Sequence, residues 1–176
     1  MNQVLILTGP PGSGKSSVAE AICERFDRML HIPVDDLRHW VRAGYRHPWM
    51  EDAQTHEQRR MATANAASIA RNAIGFRYAA IIDDVVYEPA EAAAYREALA
   101  RVEADVQFVT LLPTLAVTAE RDRGRGDNSI PERVRTLHAA FSAAVQAGTQ
   151  PGVVIDSGGD ADAWVTADRV QDAISR

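Results

Sequence analysis

The chain has 176 residues, 46% hydrophobic and 24% charged, with a formal net charge of -5. This fits one soluble globular domain and excludes a disordered, collagen-like or disulfide-stapled chain. The acidic balance argues against a nucleic-acid groove or an anionic membrane surface as partner, and the single Cys23 forbids an intramolecular disulfide.

Residues 3–8 are a short apolar, β-branched run that predicts a buried strand. The run is too short for a signal peptide or a membrane span and has no basic flank, so a cytoplasmic protein is expected. A Gly/Pro turn follows at 9–14, then a helix over 16–26 with Ala19, Ile22, Cys23 and Phe26 on its buried face. Residues 29–34 predict a second strand ended by Asp35 and Asp36, then a short helix burying Leu37, Trp40 and Val41. A loop over 44–53 carries Tyr45, His47 and Trp49, and an alanine-rich helix over 55–75 stops at Gly75. The third strand, 79–82, is followed by Asp83 and Asp84, and Pro89 opens a helix to about residue 102. The remainder reads as strand 106–112, helix 114–123, polar loop 124–129, helix 131–147, strand 153–155 and helix 161–175. Five short strands separated by helices predict one α/β domain over 1–176, with a parallel sheet covered on both faces and right-handed crossovers.

Gly9-Pro10-Pro11-Gly12-Ser13-Gly14-Lys15-Ser16 fits the phosphate-loop pattern and lies between a predicted strand and a predicted helix, the context that motif needs. Its glycines let main-chain N–H groups turn inward around a phosphate, and the helix start adds free donors. The nucleotide-binding set is therefore Gly9, Gly12, Ser13, Gly14, Lys15, Ser16 and Ser17. Lys15, the only lysine among 19 Lys+Arg residues, supplies a flexible cation to the β- and γ-phosphates. The Ser16 hydroxyl suits Mg²⁺, which takes hard oxygen ligands, and Asp83 after an apolar strand is a second, Walker-B-like ligand. ATP and Mg²⁺ are the expected cofactors.

Other phosphate-loop classes fit less well. A GTPase needs an Asn-Lys-x-Asp element, which a chain whose only lysine is Lys15 cannot supply. AAA-type and ABC-type machines need more chain, and AAA machines usually carry Glu where Asp84 stands. A small-molecule kinase needs a base, an acceptor site and a basic lid, and each has candidates. Asp35, at the sheet edge where ligands bind, is the base for an acceptor hydroxyl; the alternative is that Asp35 and Asp36 cap a helix. Arg38, Arg42 and Asp84 are acceptor-binding candidates in a region of about 35–75, the two arginines suiting an anionic or hydroxyl-rich molecule. Tyr45, His47 and Trp49 either wall that pocket or pack their own loop. Arg121, Arg123 and Arg125 fall in a lid of about 121–130, with Arg121 assigned to the adenine and Arg125 to the transferring phosphate. The 156–159 turn is expected near the adenine.

Together these motifs resemble the small phosphate-loop kinases related to nucleoside monophosphate kinases, most of all the chloramphenicol phosphotransferase-like and gluconate/shikimate kinase-like group. The resemblance rests on residues 9–16, Val34-Asp35-Asp36-Leu37, Ile81-Ile82-Asp83-Asp84-Val85 and residues 121–127. It implies a sheet order of 2-3-1-4-5 and a base at Asp35. Residues 38–56 resemble no acceptor site of that group. The reading is an ATP-dependent kinase acting on a hydroxyl of a small molecule, as a monomer or homodimer, without nucleic-acid or membrane partners. The rivals are a nucleotide-dependent switch or ATPase without an acceptor, and a nucleic-acid-end or nucleoside kinase.

Overall fold

The computed structural model describes residues 2–175. In chain order it contains β1 (Gln3–Thr8), α1 (Lys15–Cys23), β2 (Met29–Pro33), α2 (Val34–His39), α3 (Ala53–Gly75), β3 (Ala79–Asp83), α4 (Pro89–Leu99), β4 (Asp105–Leu111), α5 (Leu115–Arg123), α6 (Pro131–Gln146), β5 (Val153–Ile155) and α7 (Ala163–Ile174). The sheet is parallel throughout, in the order β2-β3-β1-β4-β5 that the resemblance implied.

β1 is buried along its whole length because side chains on a strand alternate and both faces are covered. Val4 and Ile6 enter one core with Ala66, Ala70, Tyr95 and Leu99 from α3 and α4. Leu5 and Leu7 enter the other with Val18, Ile22, Ala167 and Val170 from α1 and α7. Each fully buried Ile or Leu stabilises by roughly 1.5–3 kcal/mol relative to exposure. In α3 the buried alanines Ala62, Ala66, Ala70 and Ala73 recur at helical spacing, so a smooth small-residue face lies on the sheet.

The main departure from the expected elements lies after β2. Asp35 and Asp36 do not end the strand; they occupy the first turn of α2, which begins at Val34 directly after the N-cap Pro33. Carboxylates there are favoured by the free N–H groups of the helix start. α2 stops at His39, so Val34 and Leu37 reach the core, while Trp40 is 66% exposed and Val41 lies outside the helix. α1 is also shorter than expected: Phe26 lies beyond it in a turn, and Cys23 is half-buried. The register places Asp83 beside both Leu7 and Pro33, so the ends of β1, β2 and β3 deliver the phosphate loop, α2 and the Asp83–Asp84 pair to one edge. No helix is long and apolar enough to cross a membrane among the described residues.

Candidate active site

The phosphate loop leaves β1 through Gly9 and turns under α5. Gly12 has φ +80, and a Cβ there would stand 2.4 Å from the Thr118 carbonyl oxygen, so only glycine permits this approach. Ser13 is buried and its Oγ has no hydrogen-bond partner among the described residues. A buried, unpartnered hydroxyl in a phosphate loop leaves a donor free for a phosphate oxygen. Lys15 Nζ donates to the carbonyls of Gly9 at 3.0 Å and Pro10 at 3.4 Å, which holds the ammonium along the loop.

Ser16 Oγ donates to Asp83 Oδ2 at 2.6 Å. Burial raises the Asp83 carboxyl, but His31, Lys15 and the Ser16 bond outweigh it and hold the group below its ordinary value. His31 Nε2 is 3.6 Å from Oδ2, beyond hydrogen-bond reach, so its pull is that of a nearby ring. An ionised carboxylate against a hydroxyl is a hard-oxygen pair that fits Mg²⁺.

Beside the loop lies a cavity of about 480 Å³, lined among others by Gly12, Ser17, Arg121, Arg125, Ser157 and Asp160. The Arg121 guanidinium donates to the Ser13 and Ser157 carbonyls, both at 3.3 Å, and so ties the phosphate loop to the turn after β5. Arg125 is exposed on the same cavity. The segment expected as a lid is tethered: buried Asp122 accepts from Ser129 Oγ at 2.7 Å and the Ile130 amide at 2.9 Å, and a turn of 3-10 helix spans Gly126–Asn128.

A second cavity of about 290 Å³ opens on the other side of the loop, lined among others by Pro11, Asp35, Arg38, His47, Trp49 and Arg133. Asp35 is 70% exposed, with Oδ1 accepting from Arg38 Nη1 at 2.9 Å. Tyr45, His47 and Trp49 both line the cavity and pack on one another; the His47 and Trp49 rings stack at 4.3 Å.

Two acceptor candidates lie outside this cavity. Arg42 lies beyond the end of α2, exposed, and lines neither cavity, because the helix that would have carried it onto the Asp35 face has stopped. Asp84 does not line this cavity; it borders a neighbouring one with Arg38 and Arg59. It is buried and accepts from Arg38 Nη2 at 2.9 Å, the Tyr95 hydroxyl at 2.7 Å and the Val85 amide at 2.8 Å. Burial raises its carboxyl against the pull of Arg38 and Tyr95.

Arg133, which sequence reasoning missed, lines the cavity where Arg42 was expected, and Arg59 lies beside it on a neighbouring cavity. Arg59 donates to the Pro48 carbonyl, and Arg133 Nη2 reaches the same oxygen at 3.5 Å. Burial and the neighbouring Arg59 charge hold the Arg133 guanidinium below its ordinary value. These arginines come from α3 and α6, far apart in sequence and in no local motif; the one signal for Arg133 is its place just after Pro131 at the end of the lid.

A family model described as an AAA domain (AAA_33) matches residues 4–156. The chain belongs to this family. This AAA-domain membership corrects the setting aside of that label on chain length; the residue after Asp83 is still Asp84, held inside the protein by Arg38 and Tyr95. No curated protein matches the chain. Among solved structures, the Deinococcus radiodurans tunicamycin resistance protein superposes with a TM-score of 0.71 at 17% identity, over 99% of this chain and 96% of that one. Shikimate kinase from Acinetobacter baumannii in complex with shikimate gives 0.66 at 17% identity, over 99% and 94%. Mycobacterium tuberculosis APS kinase in complex with AMPPNP and APS gives 0.64 at 18% identity, over 99% and 98%. This AAA-domain chain therefore has the phosphate-loop kinase fold.

Proposed function

We propose that the protein is an ATP-dependent phosphotransferase that moves the γ-phosphate of Mg-ATP to a hydroxyl of a small molecule. One observation carries the reading: Pro11 of the phosphate loop and the Asp35 carboxylate line the same cavity. A loop built for phosphates and a carboxylate able to take a proton thus face one space. Kinases that share the fold add general support.

In this reading the loop amides and Lys15 hold the β- and γ-phosphates, and Arg121 lies along the adenine cavity. Ser16 and Asp83 hold magnesium, which supplies charge neutralisation on the phosphate oxygens when bound. Asp35 orients the acceptor hydroxyl. As its oxygen bonds to the γ-phosphorus, the bond from that phosphorus to the β-bridging oxygen breaks, and the hydroxyl proton passes to Asp35. A loose transition state asks mainly for positioning, which suits an ordinary carboxylate. Arg125 closes toward the transferring group from the lid. Arg133 receives an anionic or strongly polar part of the acceptor, Arg59 stands beside it on the shared Pro48 carbonyl, and Trp49 packs on the acceptor's apolar face. We place the enzyme in the cytoplasm, in keeping with its single half-buried Cys23.

The test is transfer of labelled γ-phosphate from Mg-ATP into a panel of hydroxyl metabolites, antibiotics and oligonucleotide ends, with Asp35→Asn alongside. A labelled small molecule that is lost in the variant is expected. Phosphate release to water at equal rates in both proteins, with no labelled product, overturns the reading in favour of a switch. Label in oligonucleotide ends alone moves it to nucleic-acid repair chemistry.

A further inference from the structure

Asp35 sits in the first turn of a six-residue helix with its side chain 70% exposed. A short exposed side chain there has several rotamers open to it, and an exposed i,i+3 ion pair does little to hold it. What distinguishes this pair is the far side of Arg38. The Arg38 side chain is only 14% exposed, and its second terminal nitrogen is bound to Asp84, whose side chain is 4% exposed. Asp84 is itself fixed on β3's exit by the Val85 amide and by the fully buried Tyr95 hydroxyl from α4.

The guanidinium is a planar fork, so anchoring one prong sets the direction of the other. Freed from Asp84, the fork could close on both Asp35 oxygens, the preferred bidentate arrangement. With one prong committed to Asp84, it holds Oδ1 alone, and Oδ2 makes no hydrogen bond to protein among the described residues. Oδ2 is the oxygen left to meet a hydroxyl.

We propose that Arg38, Asp84 and Tyr95 are positioning residues that clamp Asp35 by one oxygen and keep its other oxygen available, so that Asp84 acts on the reaction through Asp35 and not by touching the acceptor. The proposal rests on the kinase reading of Asp35. It also gives the two adjacent acids at the end of β3 separate duties. Asp83 serves the phosphate loop through Ser16, and Asp84 serves the base through Arg38.

The experiment compares wild type, Asp84→Asn, Tyr95→Phe and Arg38→Lys. Each is measured for label transfer to the first metabolite that the panel identifies, for Mg-ATP affinity by calorimetry and for Tm. The Arg38 Nη–H resonances are followed by NMR in wild type, Asp84→Asn and Asp35→Asn. Asp84→Asn is expected to lower kcat tenfold or more, with acceptor KM and Mg-ATP affinity within twofold of wild type. Tyr95→Phe, which keeps every charge and packs alike, is expected to lose two- to fivefold in kcat. Arg38→Lys should match Asp84→Asn, because an ammonium cannot span both carboxylates. The Nη–H signals should be split in wild type and in Asp35→Asn and averaged in Asp84→Asn.

A raised acceptor KM at unchanged kcat in Asp84→Asn would overturn the proposal in favour of direct acceptor contact. Unchanged kcat in all three variants with only Tm lowered would reduce the network to a structural role. Signals averaged in Asp35→Asn but split in Asp84→Asn would reverse the direction of support and also overturn it. A wild type that labels no metabolite overturns the kinase reading and the catalytic sense of the clamp with it, while the Asp84→Asn spectrum still decides whether Asp84 anchors Arg38.

Discussion

The nucleotide half of the cleft is built mainly from main chain and from one continuous stretch, Gly9 to Ser16, whereas the proposed acceptor half is built mainly from side chains that two helices and a loop bring together. In the first, glycines such as Gly12 let carbonyls and amides meet at distances no Cβ would allow. In the second, Asp35, Arg38, Trp49 and Arg133 depend on where α2 ends, how the 44–52 loop folds and where α6 lies. A site made of backbone can bind the same ligand in many proteins. A site made of converging side chains can change its ligand by exchanging a few of them.

This contrast can be broken by variants that strike one half and spare the other. The largest effect is expected from Lys15→Ala, which removes the only flexible cation of the phosphate loop. Label transfer should fall by about 10²- to 10³-fold, the usual cost of one electrostatic donor at a transferring group. Fluorescence titration should show the acceptor cavity still intact. Next comes Arg133→Ala, expected to raise acceptor KM by about 10- to 100-fold if a charge-assisted bond is lost. Mg-ATP affinity should stay unchanged, and a shift in it of similar size would show that this arginine serves the phosphates.

The same contrast explains what was legible in the sequence. Layers and phosphate loop follow from periodicity and from one local motif, the strand order came from the family resemblance, and the pairing of Ser16 with Asp83 follows from the motif's logic. The acceptor side was read only where residues are close in sequence, as with Asp35 and Arg38. Arg42 and Trp40 were misplaced because α2 ends at His39, and nothing in the local pattern marks that stop. The Arg59–Arg133 pair was missed because its members meet only in the folded chain, and Asp84 was aimed at the acceptor because the buried Tyr95 hydroxyl that holds it lies a full helix away.

Smaller effects sharpen the boundary between the halves. Asp122 is fully buried and holds Ser129 and Ile130, the segment that joins the lid to α6. Asp122→Ala should lower unfolding stability by about 1–3 kcal/mol, the cost of losing two hydrogen bonds, read as a lower urea midpoint.

The smallest effect concerns Glu91, whose carboxyl burial and the Asp84 charge push from 4.5 to about 7. Its side chain accepts from the Tyr87 and Glu88 amides at the start of α4. A value raised on folding means that the native state keeps the proton between the two values. The stability from neutral Glu91 is therefore full below pH 4.5 and is lost as pH rises through 7. Glu91→Gln retains the cap and carries no charge, so it should gain about 1 kcal/mol at pH 8 and almost nothing at pH 5, measured by unfolding at both values.

Lys15 has one more consequence. Within residues 1–176 its ε-amine is the only one the chain carries, and it lies against the Gly9 and Pro10 carbonyls on the floor of the phosphate loop. Apart from the α-amino group, an amine-selective reagent has one target in the molecule. Acylation of that single side chain, read by intact mass with and without nucleotide, turns occupancy of the loop into a protection assay that needs neither an acceptor nor an engineered label.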